Sequence, residues 1–201
     1  MSELEALHEQ IRVCPLCRLS ESRKHAVPGD GSPNAAIMLV GEAPGFHENE
    51  QGRPFVGAAG RFLEQLLASI NLSRDQVFIT NIVKCRPPDN RDPRQDEIEA
   101  CSGYLERQIE LVAPKLIVTL GRFSMQLAYQ GVTISKVHGQ PKRVDDIVYL
   151  PMFHPAAALH QSRYRSLIEQ DFAKIPEILS GLQSVGNGSG GETPPEQLSL
   201  F

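Results

Sequence analysis

The sequence predicts an α/β protein, a three-layer sandwich in which a four-stranded, mainly parallel sheet lies between helices. Three observations carry this. Apolar runs alternate with helical patterns four times, the signature of a parallel sheet covered on both faces. A chain of 201 residues, 41% of them hydrophobic, has enough material for one domain with a proper core. The loops richest in glycine, proline and charge all follow the C-terminal ends of predicted strands, where open α/β sheets bind ligands.

The elements follow in order. Residues 2–12 read as a short amphipathic helix, followed by the knuckle Cys14-Pro-Leu-Cys17. Ser20 to Pro33 is polar, rich in Gly and Pro, and expected to be irregular. Ala35–Val40 is the first strand, an apolar run bounded by turn formers. It opens into Gly41-Glu-Ala-Pro-Gly45 and Gly52-Arg-Pro-Phe-Val-Gly57, with an acidic segment of no clear periodicity between them. Gly41 and Gly45 let backbone approach a ligand closely. Ala58 to Ile70 is a helix, with Ala59, Phe62, Leu63, Leu66, Leu67 and Ile70 on one face. A glycine-rich loop here reads equally as a nucleotide or nucleic-acid pocket and as a plain turn; the P-loop Lys-Ser/Thr and G-x-G-x-x-G are both absent.

Gln76–Val83 is the second strand, running into the basic, proline-stiffened loop Lys84–Arg91. Asp92 as N-cap and Pro93 at the first helical position start a helix to about Val112. Lys115–Leu120 is the third strand, followed by Gly121 and a short helix to Tyr129. Asp146–Pro151 is the fourth and leads into Phe153-His-Pro-Ala-Ala157. A last helix covers 162–182, with Pro176 kinking or restarting it. Composition changes at Ser184, so the domain is 1–183 and the tail 184–201. Ser184–Glu196 is a flexible linker, and Gln197-Leu198-Ser199-Leu200-Phe201 an apolar docking peptide.

Net charge is −4 and pI about 5.9, so any nucleic-acid contact rests on a local basic face. The N-terminus shows neither a basic nor an apolar leader segment, and no run approaches a membrane span. A soluble, cytoplasmic, monomeric chain is expected. Its four cysteines then suit metal binding better than disulfides. Cys14 and Cys17, with Cys85 and Cys101, make a complete four-thiolate set for Zn²⁺ or a [4Fe–4S] cluster; spacing leaves both open.

Gly41–Gly45, Gly52–Gly57, Thr80-Asn-Ile-Val-Lys-Cys-Arg-Pro-Pro88 and His154-Pro-Ala-Ala157 together closely resemble the family 4 uracil-DNA glycosylases, the iron–sulfur type. The resemblance runs from about Cys14 to Ile178. It implies that family's fold and a structural [4Fe–4S] cluster on Cys14, Cys17, Cys85 and Cys101. It implies a monofunctional enzyme that flips uracil out of DNA and hydrolyses its N-glycosidic bond for base excision repair. Asn81 would read uracil by donating to O4 and accepting from N3–H. Phe55 would stack on the base, and Glu48 would fill the space near C5 against thymine. His154 would donate to O2 as charge builds. Glu42 would position water or stabilise the sugar cation. Ala43 stands where other glycosylase families carry an aspartate.

Among the basic residues flanking the crevice loops, Arg86, Arg91 and Arg163 are candidate DNA contacts, with Lys142, Arg143, His160 and Arg165 nearby. Leu159 is the candidate wedge into the duplex. A related branch captures DNA covalently through a histidine in a basic insert. The region here, Val132–Gly139, has His138 without that insert, which favours ordinary turnover. The alternative is a non-catalytic or covalent-trapping damage-binding protein. The tail peptide is similar to the bacterial sliding-clamp motif, implying that partner. The linker would reach roughly 20 Å as a random coil.

Overall fold

A computed structural model of the chain describes residues 1–186. In order, the elements are α1 (Glu3–Val13), α2 (Leu19–Ser22), β1 (Asp30–Gly31), β2 (Ile37–Gly41), α3 (Phe46–Gln51), α4 (Ala58–Ser69), β3 (Phe78–Asn81), α5 (Gln95–Val112), β4 (Leu116–Leu120), α6 (Ile134–Val137), β5 (Lys142–Val144), β6 (Ile147–Met152), α7 (Pro155–His160), α8 (Ser162–Phe172) and α9 (Ile175–Gly186). The sheet order is β1-β3-β2-β4-β6-β5. Its four central strands are parallel and β1 and β5 are antiparallel edges.

The four central strands are buried on both faces, so alternate residues feed two cores. Leu39, Ile79, Val118 and Leu150 pack under Phe62, Leu63, Leu66 and Leu67 of α4 and Ile168 and Phe172 of α8. Met38, Phe78, Ile117 and Tyr149 face Leu4, Leu7 and Ile11 of α1 and Leu105 and Val112 of α5. This is the expected three-layer sandwich.

Several details differ from expectation. The sheet has six strands, because two short edges lie in segments without apolar alternation: Asp30–Gly31 is two residues long, and Lys142–Val144 is largely exposed. Residues 46–51 form a helix, capped when the Glu48 carboxylate accepts the Gly45 N–H at 3.1 Å. α5 begins at Gln95 rather than after Asp92: Glu97, at its third position, accepts the Arg94 N–H at 2.8 Å and fixes the start there. The segment after Gly121 is a single 3₁₀ turn, Ser124–Leu127. The last helix is two, broken at 173–174, and Pro176 sits in the first turn of α9, where its missing N–H costs nothing. α9 runs to Gly186, past the change of composition at Ser184. The peptide 197–201 lies outside the described residues.

The register places the site. In the parallel β2–β3 pair, Gly41 stands beside Asn81 at the C-terminal edge. The loops after β2, β3 and β6 leave from that edge.

Candidate active site

Those three loops enclose a cavity of about 330 Å³, lined by Glu42, Ala43, Glu48, Phe55, Asn81, Arg91 and His154 among others. The structure therefore brings together six of the seven residues that the sequence placed around a base. Gly41 does not line the cavity but makes it possible. A Cβ there would collide with Asn81 Oδ1 and stand 2.8 Å from the Phe55 ring.

Asn81 is buried, yet its Oδ1 has no hydrogen-bond partner among the described residues. A buried, unpaired acceptor costs roughly 1–3 kcal/mol unless a ligand satisfies it. Its backbone is held from below. The fully buried Lys84 donates through Nζ to the Asn81 carbonyl at 2.7 Å, to Thr80 Oγ1 at 2.8 Å and to Gln108 Oε1 at 2.7 Å. Burial lowers the Lys84 pKa to about 8.

Phe55 is a buried non-glycine residue at φ +51°. Arg74 holds it there, donating to the Phe55 carbonyl at 2.9 Å and the Pro54 carbonyl at 2.5 Å. Gly60 permits the turn, since a Cβ at that position would run into the Phe55 carbonyl. The Phe55 ring stacks on His154, centroids 5.5 Å apart and planes 22° from parallel.

Glu48 has a second task that its sequence position does not reveal. Its Oε1 accepts the Val56 N–H at 2.8 Å and the Gly57 N–H at 3.0 Å, while Oε2 accepts that of Gly45. One carboxylate stitches the two glycine-rich stretches together and fixes its own place on the cavity wall.

Glu42 is half-buried, and burial pushes its carboxyl above the usual range, opposed by the Phe123 N–H, which donates to Oε1 at 3.1 Å. Gly121, at φ +107°, is required here because a Cβ would strike the Glu42 carboxylate. His154 caps α7: its Nδ1 accepts the Ala156 N–H at 3.1 Å. That leaves the ring proton on Nε2. Desolvation lowers its pKa to about 4, so the imidazole is neutral at physiological pH.

The rim candidates separate. Arg91 lines the cavity, but its guanidinium donates to both oxygens of buried Glu97, at 2.9 and 2.6 Å. It is a wall brace and not a free cation. Arg86, Leu159 and Arg163 lie off the cavity. Leu159 is 49% exposed on α7, and Arg163 covers the Tyr164 ring. Lys142 is held at the sheet edge by the Ala128 carbonyl, 2.6 Å away, and Arg165 by Glu169. The sequence reading missed Pro87, Asn90, Asp92 and Pro93, which form one wall. The proline-rich composition of that loop was the available signal, and it reads first as stiffness.

All four cysteines are free and line a second, small cavity, together with Arg23, Lys84 and Glu97. Arg23 donates to Cys85 Sγ at 3.3 Å, and the Lys84 N–H to Cys101 Sγ at 3.3 Å. Burial raises the Cys85 thiol and takes Cys101 to about 11. Donors aimed at sulfur, and thiols that only a cation would deprotonate, fit a metal-thiolate group. The cavity measures about 10 Å³, and among the described residues no three such side chains already stand at metal-binding spacing. The donor set fits, and the sulfurs must part to admit a cluster.

Residues 28–177 match the uracil DNA glycosylase superfamily. The type-4 uracil-DNA glycosylase of Sulfurisphaera tokodaii is 50% identical over 188 residues, covering 89% of this chain and 86% of that protein. Those of Archaeoglobus fulgidus and Thermotoga maritima are 43% and 38% identical, covering 89% and 88% of this chain and 94% of each relative. Asn81, Phe55 and His154 thus meet around one cavity, which the bare Gly41 leaves room for, in a chain that belongs to the type-4 uracil-DNA glycosylases.

Proposed function

We propose that this protein excises uracil from DNA by hydrolysing the N-glycosidic bond, leaving an abasic site for repair. The observation that carries it is the Asn81 Oδ1, without a partner among the described residues, on the wall of a cavity that also holds the Phe55 ring and a neutral His154.

Uracil in a duplex is shielded, so the nucleotide is extruded at a cost of a few kcal/mol. Asn81 donates to O4 and accepts from N3–H, a pattern cytosine does not match. Phe55 stacks on the base, and Glu48, fixed by three backbone donors, closes the C5 side against a thymine methyl. As the C1′–N1 bond breaks, its electron pair leaves with uracil. His154 Nε2–H then donates to O2, where the negative charge collects, an interaction realised fully only in the transition state. Glu42 orients the water that adds to C1′ and takes up its proton, a role its raised pKa suits. No lyase step follows. His138 Nδ1 is bound to Asp171 Oδ2 at 2.6 Å and His138 does not line the cavity, which supports turnover over covalent capture.

Cys14, Cys17, Cys85 and Cys101 hold a [4Fe–4S] cluster in this reading, with zinc the alternative occupant. The group would fasten the loop after β3 to the N-terminal segment. Gln197–Phe201 would dock on a sliding clamp. Deleting it should abolish clamp binding and leave excision on bare DNA unchanged; unaltered clamp affinity ends that assignment.

The test uses end-labelled oligonucleotides with one uracil in U·G, U·A and single-stranded contexts. Scission at uracil only after hot alkali is expected, and its loss in Asn81→Ala and His154→Ala. No scission by cluster-loaded protein refutes the reading.

A further inference from the structure

The reaction leaves one exposed aromatic at the cavity mouth without a task. Phe46 is 52% exposed and directly follows the cavity-lining Gly45. The Arg86 guanidinium, from the loop after β3, lies over its ring, 5.4 Å from the centroid. Arg86 Nε donates to Asn90 Oδ1 at 2.7 Å, and Asn90 is itself on the cavity wall. His47 sets its ring edge-on to Phe46, centroids 5.5 Å apart. Isolated surface apolar residues need no explanation. This one differs because two loops that build the cavity also join outside it in a cation–aromatic pair. The terminal nitrogens of Arg86 have no protein partner among the described residues.

Resting on the glycosylase reading, we propose that Phe46 and Arg86 form a platform for the nucleotide next to uracil on the same strand. The base stacks on the Phe46–Arg86 layer, and the free guanidinium nitrogens meet the phosphate between that nucleotide and the uracil. Single-strand recognition combines these two features, an aromatic that accepts any base and a cation that follows the backbone. The occupant is nucleic acid and not a protein segment because the platform is continuous with the base cavity. It is the same strand because the platform begins one residue from the cavity wall, where a flipped nucleotide brings its covalent neighbour.

The test measures excision kinetics on single-stranded oligonucleotides bearing one uracil, beginning with the wild-type protein. If it excises nothing, the glycosylase reading fails; the remaining arms concern the platform alone. Phe46→Ala is expected to raise KM about tenfold with kcat unchanged, within the range of losing one stacked base. Phe46→Trp should restore KM, and Phe46→Leu should not. Replacing the neighbouring nucleotide with an abasic analogue, on one side of uracil only, should cost the wild-type enzyme the same factor and cost Phe46→Ala nothing more. Arg86→Gln should lower the salt slope of binding by about one. An unchanged KM in Phe46→Ala overturns the proposal. So does a penalty seen in duplex substrates but not in single strands, which would place the opposite strand's base on the ring. An unchanged salt slope removes Arg86 from the platform.

Discussion

Arg91 grips both carboxylate oxygens of Glu97, at 2.9 and 2.6 Å, through the wall that divides the base cavity from the cysteine cavity. Arg91 lines the first and Glu97 the second. This ion pair joins the two sites, with the Arg94 N–H as a third bond to the same carboxylate and the Lys84–Asn81 bond as a second link.

Glu97→Ala should therefore damage both sites. Loss of the buried partner releases Arg91 from the wall and frees the start of α5, so the urea midpoint should fall. Hydrogen bonds from Arg91 hold the Glu97 carboxyl below its usual value. Its contribution is present above the unfolded carboxylate pKa of about 4.3 and is lost as pH falls through the lower folded value. The variant should lack that part of the acid limb; an unchanged acid limb would show that the pair carries no linkage.

The histidines act in the same sense, in a higher pH window. Burial lowers both His154 and His8 to about 4. Between about pH 6.5 and 4 the unfolded chain binds more protons, so stability should fall as pH drops through that window. His8→Ala should flatten part of this fall while leaving excision intact. Because His154 works as a neutral donor, the residual kcat of Glu42→Gln, freed of the carboxyl's own titration, should hold from pH 8 to about 5 and decline toward 4. A decline already centred near pH 6.5 would contradict the neutral imidazole.

Gly41→Ala separates collision from backbone strain, because Gly41 carries no positive φ. Its new Cβ must displace Asn81 Oδ1 or the Phe55 ring. A displacement of that kind should lower kcat/KM about a hundredfold. The overpacking should cost about 1–3 kcal/mol of stability. Inhibition by free uracil should weaken in parallel; retained inhibition would separate Gly41 from base binding.

Purified protein should be brown, with broad visible absorption, and Cys101→Ser should bleach it and lower Tm. Adding a chelator should lower Tm in the wild type and leave Cys101→Ser unmoved. A colourless, zinc-containing wild-type protein would reassign the centre.

Much of this was legible in the sequence for a physical reason. Asn81 and His154 sit at the ends of apolar runs, and parallel strands deliver such ends to one edge. The edge strands were not legible, because Asp30–Gly31 and Lys142–Val144 borrow their order from neighbours. Asp92 looked like a helix cap, since Asp-Pro fits that role locally; the structure uses Glu97 to start α5 and leaves Asp92 on the cavity wall, paired with Arg122. Glu48 was legible as a pocket residue, but its three backbone bonds depend on a turn that brings residues 45 and 56–57 together. Arg91 read as a candidate DNA contact, because nothing in its local sequence shows that the turn before α5 sets it against the buried Glu97.

Lys84 gives the site a property of another kind. An ammonium wholly inside the core, clasping the Asn81 carbonyl, would turn the residue proposed to read the base into a fixed gauge. A gauge that does not bend cannot be persuaded by a poor fit. On that proposal, fidelity would reside as much in the interior as at the mouth, and mutations that never touch DNA would become mutations in what the enzyme accepts.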